Sequence, residues 1–259
     1  MVSDASCGVA VMAKASKAGQ SKTRLCPPLS FAEAARFNTS FLQDIAANIS
    51  AAALLADISG YMAFGPPGSE AFFEDILLDV RPAIGLLDAW LPNFGDCLLR
   101  AITQQFERGH AAAVVLNSDS PTLPTSLLVE TALWLARPGD RAVLGPSTDG
   151  GYYLLGLKQP HRRLFEDIDW STERVARQTL ERAREIGLSV HVLRAWYDVD
   201  DIEALRTLHA ELCDGRSFAT DLAPHPAAHT AALLRRLLAE TDLDARLRGS
   251  DELAERAAE

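Results

Sequence analysis

The sequence has few cysteines and no long apolar run, and both absences narrow the class of protein. The four cysteines are widely separated and include no C-x-x-C pair: Cys7, Cys26, Cys97 and Cys213. We therefore expect free thiols in a reducing compartment rather than a disulfide framework or a zinc site. No stretch approaches the roughly 20 apolar residues of a membrane-spanning helix. The apolar run at 8–13 is too short for a signal peptide, so we predict a cytoplasmic protein.

Positive charge is also scarce. The 259 residues include 25 Lys and Arg against 35 Asp and Glu, which gives a formal net charge of −10. A surface of that sign repels nucleic-acid backbones and anionic membranes, so we expect neither as a partner. The composition, with 48% hydrophobic and 23% charged residues, is typical of a folded domain with a sizeable core. An anionic ligand would need a local cluster of basic side chains.

Patterns typical of buried strands alternate with helical patterns along most of the chain. The run AAAVVL at 111–116 is continuously apolar, as in a central parallel strand that is buried on both faces. The S-x-x-E sequence from Ser30 to Glu33 is a capping box that begins a long predicted helix. The alternation predicts an α/β fold with a mostly parallel sheet that is flanked by helices. We assign this domain to residues 1–214.

The composition changes in the C-terminal part of the chain. Residues 215–259 are rich in Ala, Leu and Arg, and we predict a helical C-terminal extension there. Its apolar stripe consists of Leu233, Leu234, Leu237 and Leu238. We expect this stripe to pack on its own domain, with a homodimer contact through the C-terminal helices as the alternative.

The few lysines are clustered near the N-terminus. Of only four in the chain, three are Lys14, Lys17 and Lys22, and Arg24 follows with no acidic residue between them. Because this segment follows the first predicted strand, it lies at the sheet edge where ligands bind in α/β folds. Gly19 lets the backbone approach a ligand, and the ammonium groups neutralise phosphates. We predict a polyphosphate-binding loop; the alternative is a solvated basic loop.

Carboxylates follow two other predicted strands. Asp119 lies in the polar segment N-S-D at the end of the buried strand at 111–116 and is a suitable ligand for Mg²⁺ or Mn²⁺, with a cap of the next turn as an equal alternative. Asp198 and Asp200 follow the last strand, and alternate residues of an extended segment point the same way. The alternative for Asp200 or Asp201 is the N-cap of the next helix. Together, these carboxylates predict a metal site.

A segment rich in glycine and tyrosine follows another strand. Gly150-Gly151 beside Tyr152-Tyr153 suits a pocket wall on which a sugar or another acceptor stacks. Asp149 is placed to accept a proton from an acceptor hydroxyl, as a general base does. The alternative is a Gly-Gly hairpin with the tyrosines at strand positions. Trp170 begins a predicted helix and is a further candidate for the pocket, with core packing as its alternative.

Taken in order, these motifs resemble those of a bacterial glycosyltransferase-like family in the GT-A, or nucleotide-diphospho-sugar transferase, superfamily. That family is related to the 2-phospholactate guanylyltransferases. The resemblance runs from about residue 9 to residue 205. It rests on K-T-R-L at 22–25, S-D-S-P at 118–121, D-G-G-Y-Y at 149–153, W-S-T at 170–172 and D-V-D at 198–200.

The resemblance implies a GT-A-like, Rossmann-type domain and a role for each motif. Lys14, Lys22 and Arg24 would contact nucleotide phosphates. We include Gly19, Thr23 and Ser118, from the same motifs, among the candidate nucleotide-binding residues. Metal ligands would be Asp119 and Asp200, and residues 149–153 would face the acceptor. From the residues themselves we add Asp198 to the candidate metal ligands and Trp170 to the candidate acceptor-binding residues. Many relatives carry G-D-L-G-x-R-M where this chain has residues 93–98, so Cys97 stands where an arginine is usual and a positive contact is lost.

Three functions are compatible with these features. The first is a metal-dependent glycosyltransferase-like enzyme, in which basic side chains and a cation stabilise the departing nucleoside diphosphate. The second is a nucleotidyltransferase, in which a nucleoside triphosphate reacts with a phosphorylated small molecule and pyrophosphate leaves. The third is a non-catalytic nucleotide-binding scaffold, for which Cys97 is the only indication.

Overall fold

One seven-stranded sheet forms the centre of the computed structural model, which describes residues 6–80 and 82–249. The strands are β1 (Cys7–Lys14), β2 (Ile58–Gly65), β3 (Gly85–Asp88), β4 (Ala112–Leu116), β5 (Ala142–Pro146), β6 (Tyr152–Leu157) and β7 (Val190–Val192). Their order in the sheet is β3-β2-β1-β4-β6-β5-β7. Every neighbouring pair is parallel except the two that involve β6, which is antiparallel to β4 and β5. The mostly parallel sheet predicted from the sequence is confirmed.

Helices cover both faces of this sheet. They are α1 (Phe31–Ala53), α2 (Glu70–Ile76), α3 (Phe94–Glu107), α4 (Thr125–Leu135), α5 (Val175–Glu185), α6 (Ile202–Cys213) and α7 (Ala228–Glu240). Alternate residues of β1 serve opposite faces, because side chains of a strand point alternately to either side. Val9 and Val11 pack with Phe37 of α1, whereas Ala10 packs with Ile102 of α3. No helix of the described residues is long and apolar enough to cross a membrane.

The capping box predicted at the start of α1 is present. The Glu33 N–H donates to Ser30 Oγ over 3.3 Å, and the Ser30 N–H donates to Glu33 Oε2 over 2.7 Å. Glu33 is also bound by Arg246, whose two terminal nitrogens lie 2.9 and 2.8 Å from its carboxylate oxygens. The Arg246 hydrogen bonds lower the pKa of Glu33 to about 2. The start of α1 is thereby tied to the C-terminal part of the chain.

Helix α7 packs against α1. Leu233, Leu234 and Leu237 are buried in the core that includes α1, so the apolar stripe packs on its own domain, as expected. Asp44 of α1 is fully buried, and its two carboxylate oxygens each accept a backbone N–H of the first turn of α7 over 2.8 Å. A homodimer and the division into 1–214 and 215–259 stay predictions, and residues 250–259 lie outside the described part.

Candidate active site

Four strands deliver the predicted motifs to one edge of the sheet. Because β6 is antiparallel to both of its neighbours, β1, β4, β5 and β7 all run in the same direction. The segments that follow them meet at a cleft of about 630 Å³. Most of the predicted site residues line it: Lys14, Lys22, Thr23, Arg24, Ser118, Asp119, Asp149, Gly151, Tyr152, Tyr153, Trp170, Asp198 and Asp200. Gly19 and Gly150 are not among the lining residues.

Lys22 lies between two of the predicted metal ligands. Its Nζ is 2.6 Å from Asp119 Oδ1 and 2.8 Å from Asp200 Oδ1, and it donates to the Val199 carbonyl over 3.0 Å. Only 6% of its side chain is exposed. Burial by itself lowers the pKa of this ammonium, but the two carboxylates outweigh burial and raise the pKa above its ordinary value. Lys22 is therefore charged, and its ammonium bridges the two carboxylates.

The two segments that carry Asp119 and Asp200 are also joined through their backbones. The Val199 N–H donates to the Asp119 carbonyl over 2.8 Å. Behind this contact, the buried Tyr197 hydroxyl accepts from Thr122 Oγ1 over 3.0 Å and donates to Glu211 Oε2 over 2.7 Å. Sequence reasoning missed this network, since nothing in the local sequence of these three residues indicates that they meet.

Asp198 lines the same cleft but is not part of the Lys22 contact. Burial, followed by the charges of Asp149, Asp200 and Asp119, raises the pKa of Asp198 to about 7. In residues 6–80 and 82–249, no group of three or more His, Cys, Asp and Glu side chains is arranged to hold a metal ion. The oxygen donors that converge on one point are those of Asp119 and Asp200, and oxygen is the donor that Mg²⁺ and Mn²⁺ prefer. This pair fits a divalent cation chemically.

The glycine- and tyrosine-rich segment is both a hairpin and a wall of the cleft. Strands β5 and β6 pair antiparallel across the turn at 147–151, as the hairpin alternative predicted. The Gly151 N–H donates to Asp149 Oδ1 over 2.8 Å, which orients this carboxylate at the cleft. Tyr152 is half-buried, whereas Tyr153 is fully buried and its hydroxyl donates to the Arg194 carbonyl over 2.9 Å. Tyr153 thus belongs largely to the core.

The two predicted glycines outside the lining have other surroundings. Gly150 has a φ of +91°, and a Cβ there would lie 2.2 Å from the carbonyl oxygen of Glu173. It holds the Asp149 turn against the segment before α5 and is not among the residues that line the cleft. Gly19 has a φ of +75° in an exposed turn, where a Cβ would have no atom within 4 Å. Its direct contact with a nucleotide stays a prediction.

Aromatic rings line the part of the cleft near the N-terminus of α3. Trp170 and Phe94 meet edge to face, with ring centroids 5.3 Å apart, and Phe94 is 50% exposed. Sequence reasoning missed Phe94 as a lining residue. Cys97 is buried, with Sγ 3.2 Å from both the N and the O of Leu91. It supplies no group to the cleft.

The positively and the negatively charged side chains that line this cleft come from different segments of the chain. Among the described lining residues, the cationic side chains are Lys14, Lys22 and Arg24, from the end of β1 and the loop after it. Carboxylates come from the other segments: Asp119, Asp149, Glu173, Asp198 and Asp200. Asn38 of α1 anchors the basic loop by donating to the Lys14 carbonyl over 3.1 Å and to Ser16 Oγ over 2.8 Å.

Comparison with known proteins agrees with this architecture. A family model described as "Uncharacterized protein conserved in bacteria (DUF2064)" matches residues 48–172. A crystal structure from Desulfovibrio desulfuricans G20, of a protein provisionally described as a nucleotide-diphospho-sugar transferase, superposes with a TM-score of 0.74. It is 25% identical, and the match covers 95% of this chain and 97% of that one. The chain has the GT-A-like fold. The superfamily resemblance predicted from the motifs is confirmed.

More distant solved structures share the fold. A CMP:2-keto-3-deoxy-manno-octonic acid synthetase complexed with CTP is 10% identical, with a TM-score of 0.50 over 82% of this chain and 100% of that one. A cytidylyltransferase from Leptospira borgpetersenii serovar Hardjo-bovis (strain JB197) is 11% identical, with a TM-score of 0.51 over 92% of this chain and 95% of that one. No curated protein matches the sequence.

Proposed function

We propose that the protein is a metal-dependent glycosyltransferase-like enzyme that transfers a sugar from a nucleotide-diphosphate sugar to a small-molecule acceptor. The observation that carries the proposal is the meeting of Lys22 with Asp119 and Asp200 in the cleft. The similarity to the Desulfovibrio protein, which extends over nearly the whole length of both chains, supports a nucleotide-diphosphate sugar as the donor.

The phosphates of the donor would bind beside the loop after β1. Lys14 and Arg24 are exposed there and line the cleft, so they are free to contact phosphate oxygens. As the bond to the sugar breaks, negative charge grows on the departing diphosphate, and cations already in position lower the free energy of that transition state. Asp119 and Asp200 would hold Mg²⁺ or Mn²⁺, which supplies further neutralisation of the same charge.

The acceptor would bind between Asp149 and the aromatic rings. Asp149 would accept the proton of the attacking hydroxyl, with its carboxylate oriented by the Gly151 N–H. Trp170 and Phe94 offer apolar ring surface against which a sugar or polyol can pack. Because the described lining residues outside the basic loop carry carboxylates and no Lys, Arg or His, we propose a neutral hydroxylated acceptor rather than a phosphorylated or carboxylated one.

Nucleotidyl transfer is the second candidate. In that reaction an acceptor oxygen attacks the α-phosphorus of a nucleoside triphosphate and pyrophosphate leaves. Two structural neighbours, the synthetase that is complexed with CTP and the Leptospira cytidylyltransferase, have names that belong to this class, although at 10% and 11% identity they share only the fold. Three cations close together in the chain would also suit a triphosphate.

Binding and product analysis separate the candidates. Purified protein is heated with UDP-glucose, GDP-mannose, CTP or GTP, each with and without Mn²⁺, and the shift in Tm is measured. A shift with a nucleotide sugar, followed by release of nucleoside diphosphate on addition of a polyol, supports glycosyl transfer. A shift with a triphosphate and release of pyrophosphate supports the second candidate. Binding without turnover of any of these compounds would favour a scaffold, and no shift at all would contradict both enzymatic proposals.

A further inference from the structure

Lys22 has no hydrogen-bonding capacity left for a phosphate. An ammonium carries three N–H donors, and three acceptors surround this one: Asp119 Oδ1 at 2.6 Å, Asp200 Oδ1 at 2.8 Å and the Val199 carbonyl oxygen at 3.0 Å. The family resemblance implies that Lys22 contacts nucleotide phosphates. In the arrangement described, it can do so only if it gives up at least one of these acceptors.

The same ammonium lies where a divalent cation would have to be. A Mg²⁺ ion bound by both Asp119 and Asp200 needs their oxygens within about 2.1 Å, and those oxygens now converge on Lys22 Nζ. Two positive charges cannot share that point, because their repulsion in a largely buried site is strong. A metal ion can therefore bind these two Oδ1 atoms together only when Lys22 leaves them.

The surroundings of Lys22 stabilise the closed arrangement. The side chain is 6% exposed, and its ammonium lies 5.4 Å from the centroid of the Phe41 ring, a favourable contact for a cation. Moving this charge out of its pocket without a new partner would leave it and the two carboxylates unpaired. A phosphate chain in the cleft would provide that partner, since Lys14 and Arg24 line the same space.

We infer that Lys22 prevents unbound divalent cations from binding the Asp119–Asp200 pair, so that metal and nucleotide phosphate enter the site together. Lys22 would exchange the carboxylates for phosphate oxygens in the same step. This inference rests on the proposed function for the identity of the phosphate ligand. By linkage, removal of the Lys22 charge strengthens binding of the metal alone and weakens the coupling between metal and nucleotide.

The test uses Mn²⁺ alone, without nucleotide. Binding to the full chain is measured by the loss of the free Mn²⁺ signal in electron paramagnetic resonance, for the wild type and for Lys22→Met. Methionine keeps the apolar stem beside Phe41 and removes the charge. We expect the Kd for Mn²⁺ to fall by about ten-fold in the variant, within the range of common coupling between sites. Lys17→Met, on the same loop but outside the cleft lining, should bind Mn²⁺ like the wild type.

Two further variants guard against a folding artefact. Lys22→Gln retains two N–H donors for the carboxylates, and we expect it to bind Mn²⁺ more tightly than the wild type as well. Lys22→Arg retains the charge and should show no gain. Equal Mn²⁺ affinity in the wild type and in whichever neutral variant remains folded would overturn the inference. Because no nucleotide is present, this outcome is independent of the nucleotide screen, which tests the proposed function by itself.

Discussion

Gly150 and Glu173 are in direct backbone contact beside the cleft. A Cβ on Gly150 would lie 2.2 Å from the Glu173 carbonyl oxygen, and the Ala176 N–H donates to the Gly150 carbonyl over 3.0 Å. The turn that carries Asp149 is therefore packed against the start of α5. This contact gives Gly150 a packing role, and its predicted contact with an acceptor stays a prediction.

Gly150→Ala should destabilise the protein and disturb the acceptor side of the cleft. We expect a loss of about 2–4 kcal/mol in the free energy of unfolding, because a φ of +91° and the backbone clash both oppose a side chain. Urea denaturation measures this loss of stability. Gly187→Ala is the matched control: its φ is +66° but a Cβ there would have no atom within 4 Å, so only the conformational cost of about 1 kcal/mol applies. Equal losses in both variants would refute the clash.

Asp119→Asn should abolish metal-dependent nucleotide binding and leave the fold intact. Since changing even the hydrogen-bond partners of metal ligands costs about 10–100-fold in affinity, losing a ligand should cost at least as much. The measurement is the Mn²⁺-dependent Tm shift with the nucleotide that stabilises the wild type. Asp75→Asn, at an exposed position of α2, is the control and should behave like the wild type. An unchanged shift in Asp119→Asn would remove this residue from the site.

Tyr197→Phe should weaken the site indirectly, through the buried network that supports the 198–200 segment. The substitution removes the hydroxyl that joins Thr122 and Glu211, leaving buried polar groups short of a partner at a cost of about 1–3 kcal/mol. The 198–200 segment would lose its anchor, so metal-dependent nucleotide affinity should fall as well. Tyr61→Phe also removes a hydroxyl contact, to His110 Nε2 at 2.7 Å, but Tyr61 does not line the cleft. It should lower stability without changing nucleotide affinity, unlike Tyr197→Phe.

The Glu33–Arg246 pair should make stability depend on pH in the acid range. Hydrogen bonds from Arg246 lower the pKa of Glu33 to about 2 in the folded protein, below its unfolded value of about 4.3. The folded state thus favours the ionised carboxylate, and this stabilisation is complete above the unfolded pKa and disappears as the pH falls toward 2. Glu33→Gln should lose about 2 kcal/mol at pH 7.

The matching control is Glu74→Gln, which changes an exposed carboxylate of α2. Urea denaturation at pH 7 and at pH 3 should show a smaller stability difference between wild type and Glu33→Gln at the lower pH. The stability of Glu74→Gln should stay close to that of the wild type at both pH values. A difference for Glu33→Gln that remains constant between these pH values would show that the lowered pKa of Glu33 does not stabilise the fold.

Local patterns were sufficient to predict most elements and the edge at which the motifs meet. The apolar run of β4 and the Ser30–Glu33 box are local signals, and the common direction of β1 and β4 follows from their alternation with helices. The pairing of Lys22 with Asp119 and Asp200 could not be read in this way. It depends on contacts between segments as far apart as 178 positions, and no periodicity or capping pattern records them.

The side chains of the acceptor segment illustrate the same limit. The sequence placed Gly150 and Tyr153 in the pocket wall along with their neighbours, because successive residues share one motif. In the folded chain, Gly150 contacts Glu173 and is not among the lining residues, whereas Tyr153 lines the cleft with a fully buried side chain. Phe94 reaches the cleft although its own surroundings resemble an ordinary helix start. Which side of a turn faces a ligand is decided by tertiary packing, which spacing alone does not reveal.

The contact between α7 and Asp44 constrains the order in which the protein can assemble. Until residues 228–230 have left the ribosome, the Asp44 carboxylate has no amide donors in a position that is fully buried in the finished molecule. The packing of α1 around Asp44 is therefore complete only once the first turn of α7 has docked and supplied both of these donors.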